Sequence, residues 1–440
     1  MRVVRGALLT AVSFFVFASC ASGPDSYAQV DAGVKSGSFE HALTSINDEG
    51  GRGRRNIYNR RNQILLYLDR GMLNHYAGLY AESSRDLQMA EQLIEEAFTK
   101  SISQEIGTFL LNDNVRDYSG EDYEDLYINI FGALNYYNSG NIESALVEVR
   151  RLNEKLVHLA DRYERAVKKV LESNNQVNTA ELPMEASSFS NSALARYLGM
   201  LFYRGTGRND SARIDSDELR RAYNLAPGIY ANPIPSSVRE ELSVPANKAR
   251  LNVIAFTGLS PVKREENIII PLPLPFPNNS ARLSIPVMTD RPSVVQRAEV
   301  LLNNGEKFRL ELVEDMGAVA RETFKSKRGM IILKTTARTI SKATASAAAA
   351  EATRRHGGGI AGFLVGAAGR IASDASERAD TRLSRYFPSK ALVGGINLDP
   401  GTYTVTVNYY GPSGRLVYSE KKETAVRRNA LNLAQFFYLN

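Results

Sequence analysis

Residues 133–149 read Ala-Leu-Asn-Tyr-Tyr-Asn-Ser-Gly-Asn-Ile-Glu-Ser-Ala-Leu-Val-Glu-Val. Ala133, Tyr136, Ile142, Ala145 and Val149 fall at helical intervals on either side of Gly140, which predicts two helices joined by a glycine turn. A small residue on each helix lets the pair approach closely, the glycine reverses the chain, and large apolar side chains fill the seam.

The same frame fits Leu68, Gly71, Gly78, Tyr80, Ser83, Leu87 and Ala90. A truncated copy runs through Gly37, Phe39, Ala42 and Ile46, and a degraded one surrounds Leu198, Gly199, Tyr203 and Gly205. This frame resembles the tetratricopeptide repeat. The copies are spaced by 41, 62 and 65 residues, against about 34 in a regular array, so extra helices or loops are inserted. The alternative is a generic helical bundle with chance glycines. Either way, residues 27–225 are expected to form an all-α domain.

Beyond it, Pro227, Pro233, Pro235 and Pro245 mark an expected linker over 226–248. From residue 249 the period changes to two. Leu251, Val253 and Ala255 alternate with their neighbours, as do Leu283, Ile285 and Val287. Asn303-Asn304-Gly305 separates residues 299–302 from Phe308, Leu310 and Leu312, a hairpin signal. Tyr403, Val405, Val407 and Tyr409 oppose Thr402, Thr404, Thr406 and Asn408, and further strands are expected at 416–418 and 431–438. One apolar and one polar face per strand predicts a two-layer β-sandwich over 249–440. A helical, Ala/Gly-rich insertion over about 316–386 argues against the rival, a membrane barrel. In that insertion Ile332, Thr336, Ile340, Ala343 and Ala347 share one helix face. The predicted class is therefore α+β: tetratricopeptide-like helical repeats, then a sandwich-like domain with a helical insertion.

The chain has 440 residues, 43% hydrophobic and 23% charged, no tryptophan and a net charge of +6. At its start, Arg2 and Arg5 precede an apolar run, Gly6 to Phe17, too short to serve as a permanent span. Ala18, Ser19 and Cys20 follow, and this arrangement resembles the lipobox of bacterial lipoprotein precursors, with Phe17 where leucine is usual. The resemblance implies a signal peptide over 1–19, acylation of Cys20, and a short tether over 20–26. A plain secretory signal with an incidental cysteine is the alternative. Cys20 is the only cysteine, which excludes an internal disulfide and a thiolate metal cluster. Removal of the leader leaves a mild positive charge, suited to an anionic envelope surface and short of a nucleic-acid footprint.

Several islands carry a wider likeness: Gly120-Glu121-Asp122-Tyr123-Glu124, the run from Ala133 to Arg150-Arg151, Ala379-Asp380-Thr381-Arg382, Pro388, and Leu398-Asp399-Pro400-Gly401-Thr402-Tyr403. Together they resemble a family of bacterial outer-membrane lipoproteins with tetratricopeptide-like N-terminal halves. Tyr386 stands where that family often has tryptophan. The resemblance implies an outer-membrane, periplasm-facing location and this architecture, and it implies no catalytic residue.

Candidate sites each have two readings. Asp117, Glu121, Asp122, Glu124 and Asp125 could hold Ca²⁺ or a basic partner; the plainer reading is a helix start with Ser119 as N-cap and Asp122 third in the helix. Arg52, Arg54, Arg55, Arg60 and Arg61 could contact lipid phosphates, or form a solvated loop. Gly357 to Gly362 matches a dinucleotide-loop pattern without its strand–helix context, and is read as a close-packed turn or an interfacial segment. Pro271, Pro273, Pro275 and Pro277 exclude a central strand. His41, His75, His158 and His356 form no zinc motif, and no cofactor is expected. Tyr76, Tyr80, Tyr123, Tyr127, Tyr136 and Tyr137 are expected to line an exposed groove for a protein partner. The expected function is a lipid-anchored, non-catalytic adaptor or assembly scaffold. The alternatives are a peptidoglycan- or polysaccharide-binding hydrolase, and an oligomeric membrane component using the Ala/Gly-rich segment.

Overall fold

Four glycines with left-handed backbone organise the N-terminal half. The computed structural model describes residues 27–103, 116–173, 179, 182–271, 280–355 and 378–440. Cys20, residues 272–279 of the proline run and the glycine-rich 356–372 lie outside the described residues. Helices α1 (Ala28–Lys35) and α2 (Phe39–Asn47) form the first hairpin, followed by short α3 (Arg52–Asn56). The pairs α4 (Gln63–Tyr76) with α5 (Tyr80–Ser103), α6 (Asp122–Asn138) with α7 (Ile142–Ser173), and α8 (Ala193–Gly205) with α9 (Asn209–Leu225) form three more.

Gly37, Gly78, Gly140 and Gly207 sit at the four turns with φ of +73°, +78°, +80° and +75°. In every turn the glycine N–H donates to the carbonyl three residues back. The next residue donates to the carbonyl five back, as in Gly78→His75 and Leu79→Asn74, or Gly140→Tyr137 and Asn141→Tyr136. These bonds satisfy the last carbonyls of the first helix, and a left-handed residue without Cβ makes them possible. The fourth turn uses Gly207, not the expected Gly205, which is the last residue of α8. Close approach within the hairpins also depends on missing side chains: a Cβ on Gly71 would lie 2.8 Å from Leu87, and one on Gly33 would lie 2.9 Å from the Ala42 nitrogen.

Residues 226–248 are more than a spacer. They contain α10 (Ser236–Glu240), and Glu241 is fully buried, accepting from Arg250 Nε at 2.9 Å, Asn252 Nδ2 at 2.7 Å and Arg204. The connection is thereby stitched to both halves.

The strands are β1 (Ala249–Leu259), β2 (Val262–Pro271), β3 (Ser280–Thr289), β4 (Arg297–Leu302), β5 (Lys307–Asp315), β6 (Pro388–Leu398), β7 (Gly401–Tyr410), β8 (Leu416–Val426) and β9 (Asn432–Tyr438). Seven of them form one sheet in the order β8-β7-β4-β5-β6-β1-β9, with only β1 and β9 parallel. The sheet curls nearly into a barrel. Across the remaining gap, Lys422 Nζ of β8 donates to Gln435 O of β9 at 2.6 Å, and Phe437 N donates to Glu420 at 3.4 Å. Strands expected to stack as two layers are thus hydrogen-bonded into one sheet. Leu251, Val253, Val407, Tyr409 and Phe436 fill its interior, while Ile254 and Phe256 on the other face of β1 pack on the helices. Both faces of β1 are buried, so the helical half fills the place that a second sheet would take.

The segment holding Leu283 and Ile285 belongs instead to a separate β2–β3 hairpin, packed on α11 (Met316–Arg355) through Ile332. Ile332, Thr336 and Ile340 of α11 are all buried, as their shared spacing predicts. The Asn-Gly hairpin between β4 and β5 forms as expected, with Gly305 at φ +88°.

Candidate functional site

The tyrosines expected in an exposed groove divide sharply. Tyr76, Tyr123 and Tyr127 are 7%, 1% and 1% exposed, because they share one buried core with residues of the chain's own sheet. Tyr76 packs against Phe437 with ring centroids 4.9 Å apart and the rings tilted by 60°, and its hydroxyl donates to Tyr386 O at 2.7 Å. Tyr127 donates to Glu314 of β5 at 2.7 Å, and Tyr137 is tied to Leu433 of β9 and to Leu431 just before it. Only Tyr80 and Tyr136 stay half-buried without a bond to the sheet; Tyr136 instead accepts from Gln88 at 2.8 Å. A groove open to a partner is therefore not what these six residues build.

What seals the two halves together is the segment 379–386, threaded between them and held by buried carboxylates. Asp69 accepts from Tyr58 at 2.7 Å, from Ser384 Oγ at 2.7 Å and from Arg385 N at 2.8 Å. Glu124 accepts from Tyr118, from Glu121 N and from Ser384 N at 2.7 Å. Asp31 binds the Arg385 guanidinium at 2.6 Å and the Tyr386 hydroxyl at 3.0 Å. Burial pushes the Glu124 carboxyl up to about 7, helped by the charge of Glu121 and opposed by its donors. Burial likewise raises Asp69 and Glu314; Glu314 is engaged by Tyr127, Tyr230, Ser192 and Leu194 N. The Ala379-Asp380-Thr381-Arg382 island thus lies in a strap between the two halves.

Beside this strap opens a cleft of about 380 Å³. The start of α6 forms its floor. Glu121 caps that helix and Asp122 is its first residue, so the expected Ser119 cap lies two residues early; the Glu124 side chain reaches back to Glu121 N at 2.8 Å. The Glu121 carboxylate takes two ammonium groups, Lys263 of β2 and, at 3.0 Å, Lys327 of α11. Burial alone would lower the Lys327 pKa, but Glu121 and Asp122 together raise it. Asp122 accepts from Tyr163 and pairs with Arg162 at 3.7 Å, Asp125 pairs with Lys155 at 2.7 Å, and Asp380 pairs with Arg382 at 2.7 Å. The expected acidic cluster is therefore real as a grouping: Glu121, Asp122 and Asp125 are matched by cations brought from β2, α7 and α11, while buried Glu124, among the described residues, is held by hydrogen-bond donors alone.

The cleft walls are helix faces. On α5, Leu93 and Ala97, with Ile94 and Phe98, form two columns four residues apart; on α11, Lys327, Met330, Ile331 and Lys334 share one face at i, i+3, i+4 and i+7. Arg162 of α7 lies 3.9 Å over the Phe98 ring. Arg60 and Arg61, from the expected arginine run, stand at the rim with Arg116. Arg55 is exposed elsewhere and Arg54 is half-buried, while the side chain of Arg52 lies outside the described residues. The Lys-Met-Ile-Lys spacing on α11 was a readable amphipathic signal; the meeting of Lys263, α5 and α11 around one cleft had none, because they are joined only by the fold.

Among the described residues no helix is long and apolar enough to cross a membrane, and no group of His, Cys, Asp and Glu has the geometry of a metal site. Set against models of known protein families, curated proteins and solved structures, the chain matches none of them.

Proposed function

We propose that this chain is a lipid-anchored binding protein of a bacterial cell envelope, tethered through an acylated Cys20 and acting as an adaptor or assembly scaffold for other envelope proteins. Its helical half is read as a tetratricopeptide-like array. The observation that carries this reading is the fourfold recurrence of one glycine turn, with the same pair of backbone bonds at Gly37, Gly78, Gly140 and Gly207. The lipobox-like leader supports the outer-membrane, periplasm-facing location, since several acyl chains on one residue anchor firmly. Because Tyr76, Tyr123 and Tyr127 are buried against the chain's own sheet, the partner is expected on the flank carrying Tyr80 and Tyr136. Affinity capture from crosslinked cells tests this: the Tyr80→Ala/Tyr136→Ala variant should lose at least one partner that the wild type retains. Identical partner sets for both would contradict it.

The hydrolytic alternative draws on the convergence of Glu121, Asp122 and Asp125 in the cleft. Their ion pairs weigh against it, since a general acid or base must exchange protons freely with substrate. Release of fragments from labelled peptidoglycan that is abolished by Asp122→Asn would reverse that judgement.

A further inference from the structure

We propose that the cleft between α5, α7 and α11 binds a single small amphipathic anion, an acyl chain ending in a carboxylate or phosphate. This inference goes beyond the adaptor reading and does not depend on it. The volume, about 380 Å³, lies within the range of small-molecule sites. The apolar body of such a ligand fits against the stripes of α5 and α11, where Ile94, Phe98, Met330 and Ile331 line the same cleft. Burying an acyl chain there removes apolar surface from water, and each methylene adds to the favourable free energy.

Charge then fixes which end goes where. At the floor, Glu121 is matched by Lys263 and Lys327, and Asp122 by Arg162, so little net charge is left for a ligand. At the rim, Arg60 and Arg61 are exposed and make no side-chain hydrogen bond or ion pair among the described residues. Glu96 and Asp117 also reach the rim, yet basic side chains outnumber acidic ones around the cleft as a whole. Two unengaged guanidinium groups above an apolar slot suit an oxyanion head with its tail directed inward. A neutral chain would leave the arginines unused, and a bare anion would leave the stripes wet.

The test uses the mature chain, residues 20–440, carrying Cys20→Ser so that no detergent is needed. Dodecanoate, dodecyl phosphate, inorganic phosphate and phosphatidylglycerol vesicles are titrated separately by calorimetry. Dodecanoate or dodecyl phosphate should bind one per chain, and comparison of the two identifies the preferred head group. Arg60→Ala/Arg61→Ala should weaken binding about tenfold or more, as expected for loss of two charge-assisted contacts. Because both side chains are exposed, the thermal midpoint of that variant should match the wild type. Ile331→Asp should abolish binding of the acyl ligands. The proposal is overturned if neither amphiphile binds, if the arginine variant binds them as the wild type does, if inorganic phosphate binds as tightly, or if only vesicles are bound.

Discussion

The Asp69 carboxylate and the Ser384 hydroxyl, 315 residues apart in the chain, meet in a 2.7 Å hydrogen bond with neither group reaching solvent. Through this contact α4 holds the strap that precedes β6. Tyr58 and the Arg385 N–H donate to the same carboxylate, so its removal strands three buried donors. Asp69→Ala should destabilise the protein by about 3 kcal/mol or more, and Asp69→Asn, which keeps one acceptor oxygen, by less. Denaturant midpoints measure both. A loss within about 0.5 kcal/mol, typical of an exposed site, would show that the strap does not join the halves.

Glu124 makes the same junction sensitive to pH. Its carboxyl is raised to about 7 from an ordinary 4.5, chiefly by burial, so the folded chain holds a proton that the unfolded chain has lost. The associated stability is present below about pH 4.5 and disappears as pH rises towards about 7. His75, buried and lowered to about 4, acts in the opposite direction: its contribution is present above 6.5 and fades as pH falls through 4. Glu124→Gln should therefore flatten the fall in melting temperature between about pH 5 and about pH 8. An unchanged slope would assign the titration elsewhere.

Gly140 isolates the backbone requirement of the hairpin turns. Its φ is +80° and a Cβ there would meet nothing within 4 Å, so any penalty comes from conformation alone. Gly140→Ala should cost about 1 kcal/mol, Gly140→Asn less, and Gly140→Val more. Equal stability of the Ala and Val variants in thermal unfolding would mean that the turn relaxes and is not what closes the pair.

Which parts of this architecture were readable follows from how local their causes are. Gly37, Gly78 and Gly140 declare their turns because the cause, a left-handed residue flanked by two apolar periodicities, lies within about ten residues. Asn303-Asn304-Gly305 is legible for the same reason. The fourth turn was misplaced by two residues because Gly205 and Gly207 compete in the same stretch. Burial of Tyr76 against Phe437 had no local sign: an aromatic on a helix face looks alike whether it meets a partner or the chain's own last strand. The single sheet was equally hidden, since β1 pairs with β6 and, in parallel, with β9, both more than a hundred residues away.

Packing and binding roles of the tyrosines can be separated. Tyr127→Phe withdraws one donor from buried Glu314 and should cost about 1 kcal/mol, with the captured partners unchanged. The Tyr80→Ala/Tyr136→Ala variant should do the reverse, losing partners with a smaller loss of stability. Loss of partners in a folded Tyr127→Phe protein would restore the helix face that meets the sheet as the binding surface.

The proposed envelope function is built on attachment to a membrane through Cys20. The mass of the N-terminal peptide from mature protein, recovered from the membranes of its own cells, reads that attachment directly. The expected result is a peptide beginning at Cys20 and heavier than its amino-acid composition by its acyl groups. An unmodified peptide, or one beginning at another residue on protein found free of membranes, would contradict it.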